Sequence, residues 1–379
     1  MSISNKTLHE EFPVNDNCIY LNHAAVAPWP HRATVAAQDF AAESMNLGAS
    51  RYPEWMKLEQ LLRDQFQTLI NAASNEDIAL LKNTSEALSV VAHGFPWNKG
   101  DNVVISDEEF PSNRIVWESL KDKGVTVKQA NLYSARSPED ALIDACDSST
   151  RLLAISSVEY SSGTRIDLQR LGKYCHDNGI AFCVDAIQGL GVFAHDVQAM
   201  HIDFLMADGH KWLCGPEALA VFYTSPQWRE RLQLHQFGWH MTEVVDFSRQ
   251  DWEPAHSARR FECGSPNMIG IYALSASLSL LLEIGIDTIE THVLERSQHM
   301  IKALDSMEDI EIITPTDNGR YAGIISFRHK KISNEDLFSH LHDNQVVCAM
   351  RGAGVRFSPH FHTPMAVIDK ALQLVADAR

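Results

Sequence analysis

Seven cysteines, at positions 18, 146, 175, 183, 214, 263 and 348, include no C-x-x-C pair. An odd number without paired spacing excludes a disulfide framework and a zinc knuckle, and reduced thiols are expected. Positive charge is scarce: 32 Lys and Arg stand against 49 Asp and Glu, a formal net charge of -17. A field of that sign repels phosphate backbones and anionic headgroups, so neither nucleic acid nor a membrane surface is an expected partner. The most apolar window, 269–286, is interrupted by Ser275, Ser277, Ser279 and Glu283. It falls short of the ~20 apolar residues of a membrane span and reads as a core helix. The first residues, MSISNKTLHEEF, carry no apolar stretch behind a basic start. That pattern fits neither a secretory signal nor a transit peptide, and a cytoplasmic location is expected. Internal repeats and low-complexity segments are missing too, which argues against a solenoid.

What remains is a globular composition, 45% apolar and 21% charged over 379 residues, long enough for two cores rather than one. Short apolar runs alternate with segments of helical period between about 75 and 225, the pattern of parallel strands joined by crossover helices. The predicted strands are IALL (78–81), NVVIS (102–106), VTVKQA (125–130), LLAISS (152–157), IAFCVD (180–185), DFLMA (203–207) and ALAVFY (218–223). One helix between them has a cap at Asp167, apolar Leu168, Leu171 and Cys175 at helical spacing, and a terminating Gly179. Beyond Trp252 the pattern changes to long helices over 269–284 and 286–305 and strands at EIIT (311–314) and AGIISF (322–327). The expected division is a large domain over 16–255 and a smaller α+β domain over 256–379, joined by residues 1–15.

Chemistry concentrates between Ala181 and Tyr223. Asp185 ends an apolar strand, where ligands bind in open α/β sheets, and a buried carboxylate there needs a cationic partner such as a protonated pyridine nitrogen. Lys211 follows the strand DFLMA, where a partly desolvated amine can serve as a Schiff-base nucleophile. Gln188 could donate to a phenolate oxygen. Taken singly, Asp185 also reads as a helix cap and Lys211 as a surface lysine. In KNTSEALSVVAHG (82–94), Asn83 and Glu86 fit an N-cap and its return partner, leaving the amides of Thr84 and Ser85 free. Such a helix start is a phosphate cradle, and no G-x-x-x-x-G-K-S/T or G-x-G-x-x-G loop competes with it.

Six ordered motifs then resemble the class V aminotransferases, a pyridoxal 5'-phosphate (PLP) family that includes cysteine desulfurases, kynureninases and isopenicillin epimerase-like proteins. They are YLNHAA (20–25), NTSEAL, EEFPSNR (108–114), the Asp185 to Tyr223 block with His210-Lys211, FECGSPN (261–267) and RGAGVRFSPH (351–360). The resemblance implies the PLP-dependent transferase fold of type I, with a mostly parallel mixed sheet in the large domain. It implies that Lys211 carries the cofactor, Asp185 keeps its pyridine nitrogen protonated and Gln188 bonds the ring oxygen. Thr84, Ser85 and His210 would hold the phosphate, Gly264 and Ser265 would reach in from a second subunit of a homodimer, and Phe110 would cover the ring. Arg356 matches the arginine that grips a substrate carboxylate; Arg351, His23 and Tyr160 are further substrate-site candidates, and GWHM (238–241) a candidate wall.

The departures are as informative. Only GAGV separates Arg351 from Arg356, leaving no room for the loop with a persulfide-forming cysteine that desulfurases carry there. Cys348, in VVCAM, reads as a core thiol. Asp208 stands where many relatives have a phosphate-binding serine, and a carboxylate there repels phosphate. His360 and His362 alternate as metal ligands can, but no third ligand has suitable spacing, and no metal is expected. The expected activity is transamination of an amino acid, with β-elimination from a sulfur substrate (a C–S lyase) as the alternative and a non-catalytic PLP-binding regulator as the rival of another class.

Overall fold

In the computed structural model, which describes residues 5–378, the predicted α/β architecture is present. A seven-stranded sheet has the order Ile78–Leu81, Ala220–Thr224, Phe204–Asp208, Ala181–Asp185, Thr150–Ser156, Asn102–Ser106, Thr126–Ala130. Its central strands pair in parallel, and Ala220–Thr224 pairs antiparallel with both of its neighbours. The interior strands are buried along their length because helices cover both faces, which is why they read as continuous Val, Ile, Leu and Phe runs without alternation. Thr126–Ala130 lies at one edge and carries exposed polar positions, which blunt edge-to-edge pairing. At the other edge, the N–H of Leu80 donates to Glu262 Oε1 at 2.7 Å.

The capped helix is Leu168–Asn178, with Asp167 accepting from the Arg170 N–H and Gly179 at φ +66. Met268–Ile284 is buried against the helices His31–Leu47 and Tyr52–Ile70. It turns by 83° into Ile286–Asp305, and no single helix among the described residues is long and apolar enough to cross a membrane. A second, antiparallel sheet has the order Ala349–Arg351, Gly354–Phe357, Ile325–His329, Ile310–Ile312. Its core of Ile325, Phe327, Val355 and Phe357 is shared with Leu21, Met300, Leu341 and Ile368.

Two strand predictions are displaced. Residues 322–324 do not pair, because Gly323 lies against the Trp212 ring so closely that a Cβ would stand 2.4 Å from it, and Ala322 O accepts from Ser297 Oγ instead. Thr314 leaves its strand because its hydroxyl donates to Ser162 O at 2.6 Å. An unpredicted parallel pairing of Ile19–Tyr20 with Val346–Val347, extended by a bridge from Asn22 to Ser358, ties the chain's start to the small sheet.

Candidate active site

The carboxyl ends of the sheet deliver the chemistry. Asp185 and Asp208 are the last residues of neighbouring strands, and the turn after Asp208 brings in His210 and Lys211. That turn is held by bonds from Gly215 N to Gly209 O (2.8 Å) and from Cys214 N to Lys211 O (2.9 Å). Two of its non-glycine residues, Cys214 (φ 52) and Ala218 (φ 62), adopt left-handed backbone, a strain that surrounding packing must impose. Gly191, at φ +95, lets the preceding turn pass under it; a Cβ there would stand 2.5 Å from Trp212 O.

These residues open on a cavity of about 480 Å³ that contains Thr84, Ser85, Phe110, Tyr160, Asp185, Gln188, Asp208, His210, Lys211, Glu217, Arg351 and Arg356. Twelve side chains from six stretches of sequence thus converge, eleven of them sequence-predicted. Asp185 is buried; its Oδ1 accepts the Ile187 N–H at 3.0 Å, and burial pushes its carboxyl up to about 6. The same desolvation brings the Lys211 ammonium down to about 8, against the opposing pull of Asp185. Lys211 Nζ lies 5.7 Å from the centroid of the Phe110 ring, which meets Tyr160 edge-on. Gln188 is clamped, donating to Ala24 O (3.0 Å) and accepting from Trp212 Nε1 (2.9 Å), so one of its two amide hydrogens stays free.

The helix Thr84–Gly94 starts at this cavity with Asn83 as its cap (Glu86 N–H to Oδ1, 2.8 Å). Glu86 returns a bond to the Lys82 N–H, one residue before the expected partner. Thr84 Oγ1, Asp208 Oδ1, His210 Nδ1 and Arg356 Nε are buried without a hydrogen-bond partner. Four orphaned polar atoms around one hollow mark a site shaped for a polar ligand. Arg356 is buried on the strand Gly354–Phe357, held by Tyr160 O at 2.6 Å.

Two expectations, those for His23 and for GWHM, are corrected. His23 does not line the cavity: its Nδ1 pairs with Ser358 O (2.9 Å) and its Nε2 with His362 Nε2 (3.0 Å), because the pairing of residues 19–22 turns its ring into the core. His360 is likewise spoken for by Trp212 O and by the Phe361 N–H, so this cluster is a packing network. GWHM is elsewhere, with His240 and Met241 buried and Trp239 lining a separate hollow near Phe247 and Trp252. Gly264 and Ser265 face an adjacent groove that shares Ala218 with the cavity.

Glu109 was overlooked. It is buried and accepts from Ser156 N (2.8 Å) and Oγ (2.6 Å); burial pushes it up to about 8, with the Asp185 charge adding. A glutamate inside EEF beside a proline-started helix gave no signal of burial.

The description "Aminotransferase class-V" fits residues 19–366 as a family model. A probable cysteine desulfurase of Methanothermobacter thermautotrophicus is 29% identical over 350 residues, covering 91% of this chain and 86% of that protein. A cysteine desulfurase of Dickeya dadantii is 29% identical over 318 residues, covering 81% and 76%. The crystal structure of the cysteine desulfurase CsdA (S-sulfonic acid) from Escherichia coli superposes with a TM-score of 0.88 at 24% identity, over 100% of this chain and 99% of that one. The cystine C-S lyase C-DES in complex with its reaction product cysteine persulfide has a TM-score of 0.90 at 20% identity, over 97% and 99%.

Proposed function

This chain belongs to the aminotransferase class V family, which it matches over residues 19–366, and from that premise we propose that it is a PLP-dependent C–S lyase that cleaves a sulfur-bearing amino acid by β-elimination. The family's cofactor is pyridoxal 5'-phosphate. The residues present fit it: Lys211 to carry the aldehyde carbon, Asp185 beside the ring nitrogen, Gln188 with a free amide hydrogen, and Phe110 across from the amine. Thr84, Ser85 and His210 stand at a helix start suited to the phosphate, where Thr84 Oγ1 and His210 Nδ1 have no partner in the protein.

When bound, PLP supplies an electron sink for the pair left on Cα as its proton departs. Arg356 holds the substrate carboxylate, its Nε facing the cavity unpaired. Lys211, when not bonded to the cofactor, would be a base whose ordinary ammonium range is lowered by burial to about 8, near neutrality as a general base requires. It takes the Cα proton and can pass it to the departing sulfur. Asp185 would keep the ring nitrogen protonated, as a carboxylate paired with that cation. On one side of the cavity Phe110 and Tyr160 meet edge-on.

The observation that carries the lyase reading over a persulfide-forming one is that no cysteine lines the cavity. The segment where a mobile loop would sit is a tight hairpin, Ala349–Arg351 pairing with Gly354–Phe357 through Gly352 at φ +55. Cys348 is buried and burial pushes its thiol up to about 12, the reverse of a reactive thiolate. The relatives named cysteine desulfurases support chemistry at a C–S bond. Transamination is the second reading, supported by the family's description. Incubated with cysteine or cystine and no keto-acid acceptor, the enzyme is expected to release pyruvate with a reduced sulfur species; turnover that requires an acceptor identifies a transaminase instead. Cys348→Ser is expected to keep turnover within about twofold of the parent, since a buried thiol contributes only packing; loss of sulfur release with retained Cα proton exchange would point to a persulfide carrier.

We further propose a homodimer. Gly264 and Ser265 lie on an open loop, with nothing within 4 Å of a Cβ placed on Gly264, beside the cavity mouth at Ala218. A second subunit there would complete the phosphate end of each site.

A further inference from the structure

Asp208 is the residue that fits the phosphate end worst and is built into it most firmly. It ends a central strand, is 7% exposed, and its Oδ2 accepts the N–H of Thr84 at 3.2 Å. That N–H is the first of an eleven-residue helix, the donor a phosphate would use. Its other oxygen, Oδ1, is buried with no partner, as is Thr84 Oγ1. As an anion, Asp208 would confront a phosphate dianion across this small space.

The charges around it do not remove the conflict. His210 Nδ1 lies 3.9 Å from Asp208 Oδ2, but burial brings that imidazole down to about 4, so it is neutral. Asn83, Thr84 and Ser85 are uncharged, and Lys82 and Glu86 line the neighbouring groove. Asp185 and Glu217 add negative charge on the cavity side. Lys211, Arg351 and Arg356 face the same cavity, where the substrate carboxylate competes for the two arginines. Desolvation already pushes the Asp208 carboxyl up to about 6, so protonating it near neutrality is inexpensive.

Resting on the cofactor reading above, we propose that Asp208 binds the PLP phosphate as a carboxylic acid. Oδ1 takes one proton from solvent and donates it in a hydrogen bond to a phosphate oxygen, while Oδ2 keeps the Thr84 N–H. Cofactor loading then consumes a proton and weakens as pH rises, a property of this chain's own aspartate.

The test uses apoprotein and pyridoxamine 5'-phosphate, which has no aldehyde and does not condense with Lys211. Calorimetric titrations in buffers of different ionisation enthalpy give the proton count for the parent, Asp208→Asn and Asp208→Ser between about pH 6 and pH 8.5. The parent is expected to take up about one proton more than either variant near pH 8, and its Kd to rise about tenfold per pH unit relative to Asp208→Asn. The phosphorus resonance of the bound ligand should keep its dianion position throughout. Equal proton counts with parallel pH profiles, or a resonance at the monoanion position, would overturn the proposal. Adding PLP to the same apoprotein separates the two levels: no Lys211-dependent visible band means the cofactor reading itself has failed. A band with equal proton counts sinks only the role of Asp208. If Asp208→Asn misfolds, Asp208→Ser carries the comparison, since its hydroxyl donates at every pH used.

Discussion

Lys211→Ala protein, mixed with PLP, shows no visible absorbance beyond that of free cofactor, and its turnover falls by at least about 10⁴-fold, the upper range for a positioned proton-transfer group. The loss is this large because one amine has two tasks, attachment of the cofactor and transfer of the Cα proton, and nothing else in the cavity can replace it. The other cationic groups there, Arg351 and Arg356, are guanidiniums rather than amines. The parent's rate of PLP attachment has a defined pH dependence. Burial brings the Lys211 ammonium down to about 8, and the neutral amine is the nucleophile. At saturating PLP, where the pH dependence of binding drops out, attachment therefore accelerates about tenfold per pH unit up to about 8 and then levels. Stopped-flow absorbance measures both. A visible band retained in Lys211→Ala, or a rate that keeps climbing past pH 10 as for an exposed lysine, would remove the assignment.

Asp185→Asn has the second largest expected effect. The variant should still hold PLP, because Lys211 and the helix at Thr84 are untouched, yet turn over about 10²- to 10³-fold more slowly, the size of a broken buried charge pair. An amide of the same shape cannot stabilise a protonated ring nitrogen, so the ring loses its electron demand. The parent should show an acid limb for the same reason. Burial holds Asp185 near 6 in the free protein; a protonated ring nitrogen beside it lowers that value, so activity declines only below about pH 6, as the carboxylate takes up a proton. In Asp185→Asn that limb is gone. A kcat within tenfold of the parent, with PLP bound, would show that the carboxylate serves only to end its strand.

Glu109 qualifies this picture. Its carboxyl, pushed up to about 8 by burial, does not line the cavity and is neutral where Asp185 is anionic. The two acids take opposite protonation states because Glu109 has neutral hydrogen-bond donors and no cation beside it, with Asp185 as a like charge, whereas Asp185 has Lys211 close by.

The strands of the large sheet were readable to within two residues, since a strand buried on both faces must be an apolar run between turns whatever it packs against. The positions of Asp185 and Lys211 followed as well, since the end of such a strand is a local property. His23 was not readable. It stands in the same motif as Ala24, which anchors Gln188, yet its ring turns inward through the bridge from Asn22 to Ser358, a partner more than three hundred residues away. The Gly323 approach to Trp212 moved the strand at 325 for the same kind of reason.

Sequence alone therefore determined which side chains exist at strand ends and helix starts, because period, caps and turn residues act over a few neighbours. Only the tertiary structure decided which of them share a space: that Asp208 closes the helix start at Thr84, that Arg356 faces Lys211, and that no cysteine reaches the cavity. Those are distances between segments far apart in the chain, and burial, which shifts each proton equilibrium, is set only when the segments pack.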